Sequence, residues 1–144
     1  MGIARIKHCS VSARDPERCA RVLAELSGGW AERFVAPGLE GAWTCMWSEN
    51  DELVEFLPEG VALVRGPRGG AFVAEPAARA VGACHVQLEI SMPLRRVREC
   101  ADRFGVTHGF RFVSSAPLYE VWLEERLLVE LVSEEIRSEG RASC

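Results

Sequence analysis

From Ile6 to Ser12 the residues alternate with period two, which predicts a strand with His8, Ser10 and Ser12 on one face and Cys9 and Val11 on the other. Asp15-Pro16 then reads as a helix start, with Asp as N-cap and Pro at the first helical position. Cys19, Val22, Leu23 and Leu26 follow at i, i+3, i+4 and i+7, the stripe of an amphipathic helix that Gly28-Gly29 ends. Three further strands are expected over 30–35, 42–48 and 52–57. Pro37-Gly38 and Gly41 turn the chain between the first two, and Asn50-Asp51 makes a tight hairpin before the last. The pattern of this half is β-α-β-β-β.

The same pattern returns. Cys84 to Ser91 alternates strictly, with His85, Gln87 and Glu89 on one face and Val86, Leu88 and Ile90 on the other. Ser91 is the expected cap and Pro93 the opening of a helix whose buried stripe is Val97, Cys100, Ala101 and Phe104, closed by Gly105. Strands are expected over 109–114, 118–124 and 127–133, the last two joined by a hairpin turn at Glu124-Glu125-Arg126. His108 falls in the loop after Gly105 and is expected to be exposed.

The two halves also align residue by residue. His8 falls on His85, Pro16 on Pro93, Arg21 on Arg98 and Gly28 on Gly105 at one constant offset. At an offset two residues shorter, Trp47 falls on Trp122, Glu49 on Glu124 and Glu55 on Glu130. Such an ordered set implies an internal duplication. The expected fold is therefore α+β, two β-α-β-β-β modules forming a cupped mixed sheet. Residues 1–60 make the first module, 61–83 a Gly- and Pro-rich crossover with a short helix near Glu75–Val81, 84–134 the second module, and 135–144 a polar, fraying C-terminal tail. Gly66-Pro-Arg-Gly-Gly70 in the crossover lacks the Lys-Ser/Thr ending of a phosphate loop and reads as a plain turn.

One oddity carries chemistry. Leu127-Leu-Val-Glu-Leu131 and Leu53-Val-Glu-Phe-Leu57 are apolar strands with a carboxylate at the centre, Glu130 and Glu55. A buried carboxylate costs several kcal/mol unless a cation or hydrogen-bond donor offsets it. Strand parity puts both carboxylates, and His8 and His85, on the faces opposite those the helices cover. Two imidazoles and two carboxylates suit a divalent metal such as Zn, Ni, Co, Fe or Mn. Such an ion, bound by His8, Glu55, His85 and Glu130, polarises a carbonyl as a Lewis acid. Glu130 or Glu55 is then the expected catalytic base. Ser10 and Gln87 share the His faces and are expected to line the substrate pocket. Trp47 and Trp122 are either walls of that pocket or packing residues.

Composition narrows the function classes. The net charge of −4 gives no electrostatic reason to expect nucleic acid. The longest uncharged runs fall short of the roughly 18 residues of a membrane span, and the N-terminus has no signal-peptide pattern. The six cysteines form no Cys-x-x-Cys pair and sit among apolar neighbours, so reduced core thiols in a cytoplasmic protein are expected.

With His8, Glu55, His85 and Glu130 in two β-α-β-β-β halves, residues 3 to about 134 resemble the vicinal oxygen chelate superfamily. That superfamily includes glyoxalase I, bleomycin-resistance proteins, fosfomycin-resistance transferases, methylmalonyl-CoA epimerase and extradiol dioxygenases. The ligand order is similar to that of bacterial glyoxalase I. Cys84-His-Val-Gln-Leu88 resembles its Gly-His-Ile-Ala-Leu, and Leu128-Val-Glu-Leu-Val132 its Lys-Ile-Glu-Leu-Ile. The resemblance implies a metal-dependent lyase or isomerase, commonly a homodimer, acting on a small molecule with adjacent oxygens. The alternatives it carries are a small-molecule sequestration protein of the bleomycin-resistance type and a ring-cleaving dioxygenase. Three departures speak against glutathione as substrate. Ser12 stands where glyoxalase I has an Arg for glutathione, Glu59 stands where it has an Asn, and Glu124-Glu-Arg126 replaces its Asp-Pro-Asp-Gly turn.

Overall fold

The computed structural model describes residues 8–48, 52–66, 69–76, 85–113, 116–125 and 127–142. The chain divides into two compact units, one of residues 1–24 and 29–81 and one of 25–28 and 82–144. The first holds β1 (His8–Ala13), most of α1 (Pro16–Ser27), β2 (Trp30–Arg33), β3 (Trp43–Met46), β4 (Leu53–Pro58), β5 (Val61–Gly66) and β6 (Gly69–Ala74). The second holds β7 (His85–Glu89), α2 (Leu94–Phe104), β8 (Thr107–Val113), β9 (Ala116–Leu123), β10 (Leu127–Val132) and α3 (Glu134–Ala142).

Each unit builds a four-stranded mixed sheet of the same order, β1-β4-β3-β2 and β7-β10-β9-β8. The first strand pairs parallel with the last, and the other neighbours are antiparallel. A parallel pair needs a long crossover, and the helix after the first strand begins that crossover. The fold is α+β, a duplicated β-α-β-β-β.

In the first unit α1 starts where Asp15 accepts a hydrogen bond from the Arg18 N–H at 3.0 Å, as an N-cap does. Its Cys19, Val22 and Leu23 are buried, and Arg21 lies 5.1 Å over the Trp43 ring. Trp43 is opposite Phe56 in register, so the face of Val11, Cys45, Val54 and Phe56 is the one beneath the helix. In the second unit Arg98 of α2 lies over Phe110 and Tyr119. Leu94, Val97, Cys100 and Ala101 of α2 are buried, as are Val121, Val129 and Leu131 on the sheet face that also carries Tyr119.

Four features differ from the sequence reading. The crossover contains a β-hairpin, β5–β6, whose Val61 and Phe72 pack with Leu39, Ala42 and Leu57. Residues 134–142 form α3, not a fraying tail, because Ile136 is fully buried and Gly140 sits against Pro117 and Phe110. At the start of α2 the Leu94 N–H donates to Glu135 of α3 at 2.9 Å, so a tertiary contact supplies the cap expected from Ser91. His108 lies within β8 and is only 18% exposed, with hydrogen bonds to Tyr119 and Asp102 of 2.6 and 2.9 Å.

Cys19, Cys45 and Cys100 are buried and Cys9 half-buried, and these four form no disulfide. Burial pushes the Cys100 thiol above its ordinary pKa. The Asn50-Asp51 turn, most of the short helix expected near 75–81, Glu49, Pro67, Arg68, Arg126, Cys84 and Cys144 lie outside the described residues, as does the side chain of His85. Among the described residues, no helix is long and apolar enough to cross a membrane.

Candidate functional site

The carboxylates of the two units occupy equivalent places. In the first, Ser10 of β1 stands directly opposite Glu55 of β4, and its hydroxyl donates to Glu55 Oε2 at 2.5 Å. His8 is two residues earlier on β1, opposite Leu53, and is exposed on the same face. Thr44 of β3 flanks Glu55 from the other side, buried, with its hydroxyl turned to the Glu32 carbonyl at 3.4 Å.

In the second unit Gln87 of β7 stands opposite Glu130 of β10, and its amide donates to Glu130 Oε2 at 3.0 Å. The backbone of His85 lies two residues earlier, opposite Leu128. Glu130 is only 8% exposed, and its immediate neighbours Val129 and Leu131 are fully buried. A neutral donor fixes one oxygen of each carboxylate, a hydroxyl in one unit and an amide in the other. Glu55 and Glu130 thus share strand position, face and type of partner.

The second unit carries further charge on this face. Glu120 of β9 is opposite Glu130 in register. It accepts hydrogen bonds from Arg111 at 2.8 Å and from the Trp122 indole N–H at 3.1 Å. The bond to Glu120 holds the Arg111 guanidinium above its ordinary pKa, and the charges of Glu120 and, more weakly, Glu130 act in the same direction. A pocket of about 420 Å³ opens beside Glu130 and Gln87, and Arg137 and Arg141 of α3 also line it.

Sequence reasoning singled out none of Glu120, Arg111, Arg137 or Arg141. The signal for Glu120 was present, since Leu118-Tyr-Glu-Val-Trp122 is a third apolar strand with a carboxylate in phase with Trp122. The tryptophans are not equivalent in register. Trp122 is opposite Leu128, whereas the residue opposite Leu53, the counterpart of Leu128, is Met46. Trp47 lies just past β3, where a Cβ on Gly29 would come within 3.1 Å of its indole.

Solved structures with the same topology cover nearly the whole chain. A glyoxylase/bleomycin resistance/dioxygenase domain from Frankia sp. EAN1pec superposes with a TM-score of 0.59 at 12% identity, covering 90% of this chain and 97% of that one. Fosfomycin resistance protein FosX from Mesorhizobium loti gives 0.56 at 14% identity, covering 90% and 92%. Oxidase ChaP-H2 gives 0.54 at 12% identity, covering 91% and 94%. The chain has the vicinal oxygen chelate fold. No protein-family profile matches it, and no curated protein matches it significantly. Those three proteins bear names of different chemistries, so the fold by itself assigns no reaction.

Proteins of the vicinal oxygen chelate fold invite a test of metal fit. Among the described residues, no three His, Cys, Asp or Glu side chains gather as a ready metal cluster. The donor types within each unit suit a divalent ion. Each offers a carboxylate oriented by a neutral hydrogen bond, with a His two positions before the donor on the adjoining strand. Hydrogen-bonded carboxylates and imidazoles are what a divalent ion of borderline hardness takes, and such outer partners orient the ligands.

Proposed function

We propose that the protein is a metal-dependent lyase or isomerase acting on a small molecule with two adjacent oxygens. The observation that carries this reading is the matched pair Ser10–Glu55 and Gln87–Glu130, one carboxylate per repeat in the same place and similarly held. His8, Glu55, His85 and Glu130 would hold a divalent ion, which supplies Lewis-acid polarisation of the substrate oxygens. Glu130 or Glu55 takes the proton that leaves the substrate carbon and returns it, as a general base does. Ser10 and Gln87 fix the planes of these carboxylates so that the accepting oxygen keeps its aim. At 8% exposure Glu130 meets little water, which strengthens any charge interaction made there. A homodimer in the cytoplasm belongs to the same reading.

Metal analysis of tag-free protein tests it. About one Zn, Ni, Co, Fe or Mn ion per chain is expected, reduced at least about ten-fold in Glu130→Gln. Metal-free protein that takes up none of these ions defeats the proposal.

A second reading is small-molecule sequestration without chemistry. The pocket of about 420 Å³ walled in part by Pro117, Leu118 and Val132 favours it. Binding of an aromatic drug that survives both chelator and Glu130→Ala separates this from the enzymatic reading.

A further inference from the structure

Helix α3 presents three stripes, each of two residues spaced i, i+4. Glu135 and Glu139 turn to α2, where Glu135 caps the Leu94 N–H at 2.9 Å and Glu139 pairs with Arg98 at 2.7 Å. Ile136 and Gly140 face the sheet and are buried. One helical step further round, Arg137 and Arg141 line the pocket that also holds Gln87, Leu118, Glu130 and Val132. Arg95, Arg96, Arg98 and Arg111 of the same unit each have a carboxylate within 3 Å. Arg137 and Arg141 have none within ion-pair distance among the described residues. Two like charges at i, i+4 repel by a few tenths of a kcal/mol in a helix, and here neither is tied to an acid at ion-pair distance among the described residues.

We infer that Arg137 and Arg141 are the anion-binding end of this pocket, recognising the carboxylate or phosphonate group of a small molecule whose apolar body lies against Leu118 and Val132. A guanidinium presents a planar fork that matches either oxyanion, and two of them on one helix face receive it without moving the backbone. Apolar wall, polar end and volume together describe a small-molecule site. The inference names the substrate class of the site proposed above and rests on that reading only for the chemistry that follows binding. Gln87, whose amide donates to one oxygen of Glu130, lines the same pocket.

The experiment titrates the EDTA-treated full-length protein with phenylphosphonate and, separately, with the neutral probe benzamide, by calorimetry at low salt. Phenylphosphonate is expected to bind at least about ten-fold more tightly, with the preference falling as salt rises. The double variant Arg137→Gln/Arg141→Gln is expected to lose the preference, and Arg95→Gln, on the outer face of α2, to keep it. Both arginines are exposed, so the double variant should melt like the parent. Equal affinity for the two probes, or a preference that survives the double variant, overturns the inference. Because the protein is metal-free in this titration, that outcome leaves metal uptake, measured separately, as it was. An intact preference in a protein that takes up no metal overturns the metal reading and not this one.

Discussion

The carboxylate of Glu130 sits in a strand that is otherwise a continuous apolar run, and the neutral Gln87 amide donates to one of its oxygens. Removing that donor tests what the pair does. Gln87→Ala should lower stability by about 1–3 kcal/mol, the cost of reducing the hydrogen bonding of a buried charged acceptor. Adding Glu130→Leu to it should recover much of the loss, since apolar replacement of both partners is close to neutral. Urea melts of the two variants read this directly, and an unchanged midpoint in Gln87→Ala would sink it. A second prediction concerns Tyr119. Burial pushes its phenol above the ordinary pKa, and the Arg98 hydrogen bond pulls it part of the way back. The neighbouring Asp102 and Glu139 charges also raise it, and His108 bonds the hydroxyl. The native state therefore keeps a proton that the unfolded chain loses near pH 10, so stability present below that value falls as pH rises through it. Melts between pH 8 and 11 should show this fall, and Tyr119→Phe should flatten it. At this scale the sequence exposed Glu55 and Glu130 because a charge among apolar residues is visible in one dimension. It hid His108, whose place depends on Gly105 adopting a left-handed φ of 61° and letting β8 begin two residues later.

Among the elements, α3 is the one least legible in the sequence. Residues 134–142 contain one large apolar side chain, Ile136, too little for a periodicity argument. The helix is held instead by contacts that are distant in sequence: the cap given to Leu94, the pair with Arg98, and the seat of Gly140 on β9. The β5–β6 hairpin was obscured similarly, since glycines at its turn end suggested a loop where long-range packing makes strands. Gly140 gives a prediction whose sign separates local from tertiary control. A Cβ there would overlap Pro117 Cβ and lie 3.2 Å from the Phe110 ring. On propensity alone Gly140→Ala should stabilise the helix by about 1 kcal/mol. The clash with a rigid proline ring should instead destabilise by about 1–3 kcal/mol and lift α3 from the sheet. A lower melting temperature with faster proteolysis near residue 134 is expected, and a higher melting temperature would mean that α3 is not seated on Pro117.

Across the whole molecule, the duplication was readable because both repeats solve the same problem: a parallel first-to-last strand pair with a polar contact on the face turned from α1 or α2. The registers His8–Leu53 and His85–Leu128 reproduce one another, as do Ser10–Glu55 and Gln87–Glu130. The substrate was not readable, because structures with this fold at 12–14% identity carry names of unlike activities. If the repeats act together on one ion, the ligands of both should matter alike. Metal at about a hundred times its dissociation constant adds about 2.7 kcal/mol to stability, or about 5–10 °C in melting temperature for a chain of this size. Each of His8→Ala, Glu55→Gln, His85→Ala and Glu130→Gln should remove most of that increment while leaving the metal-free melt within about 1–2 °C of the parent's, apart from losses at the partly buried Glu55 and buried Glu130. Scanning calorimetry with and without chelator reads all four. If the His85 and Glu130 variants lose the increment while the His8 and Glu55 variants keep it, the ion belongs to the second repeat alone and the shared-ligand scheme is wrong. If all four lose it, one binding event draws on both halves of a duplicated chain, which is the expected use of a doubled β-α-β-β-β plan with a carboxylate at the same place in each copy.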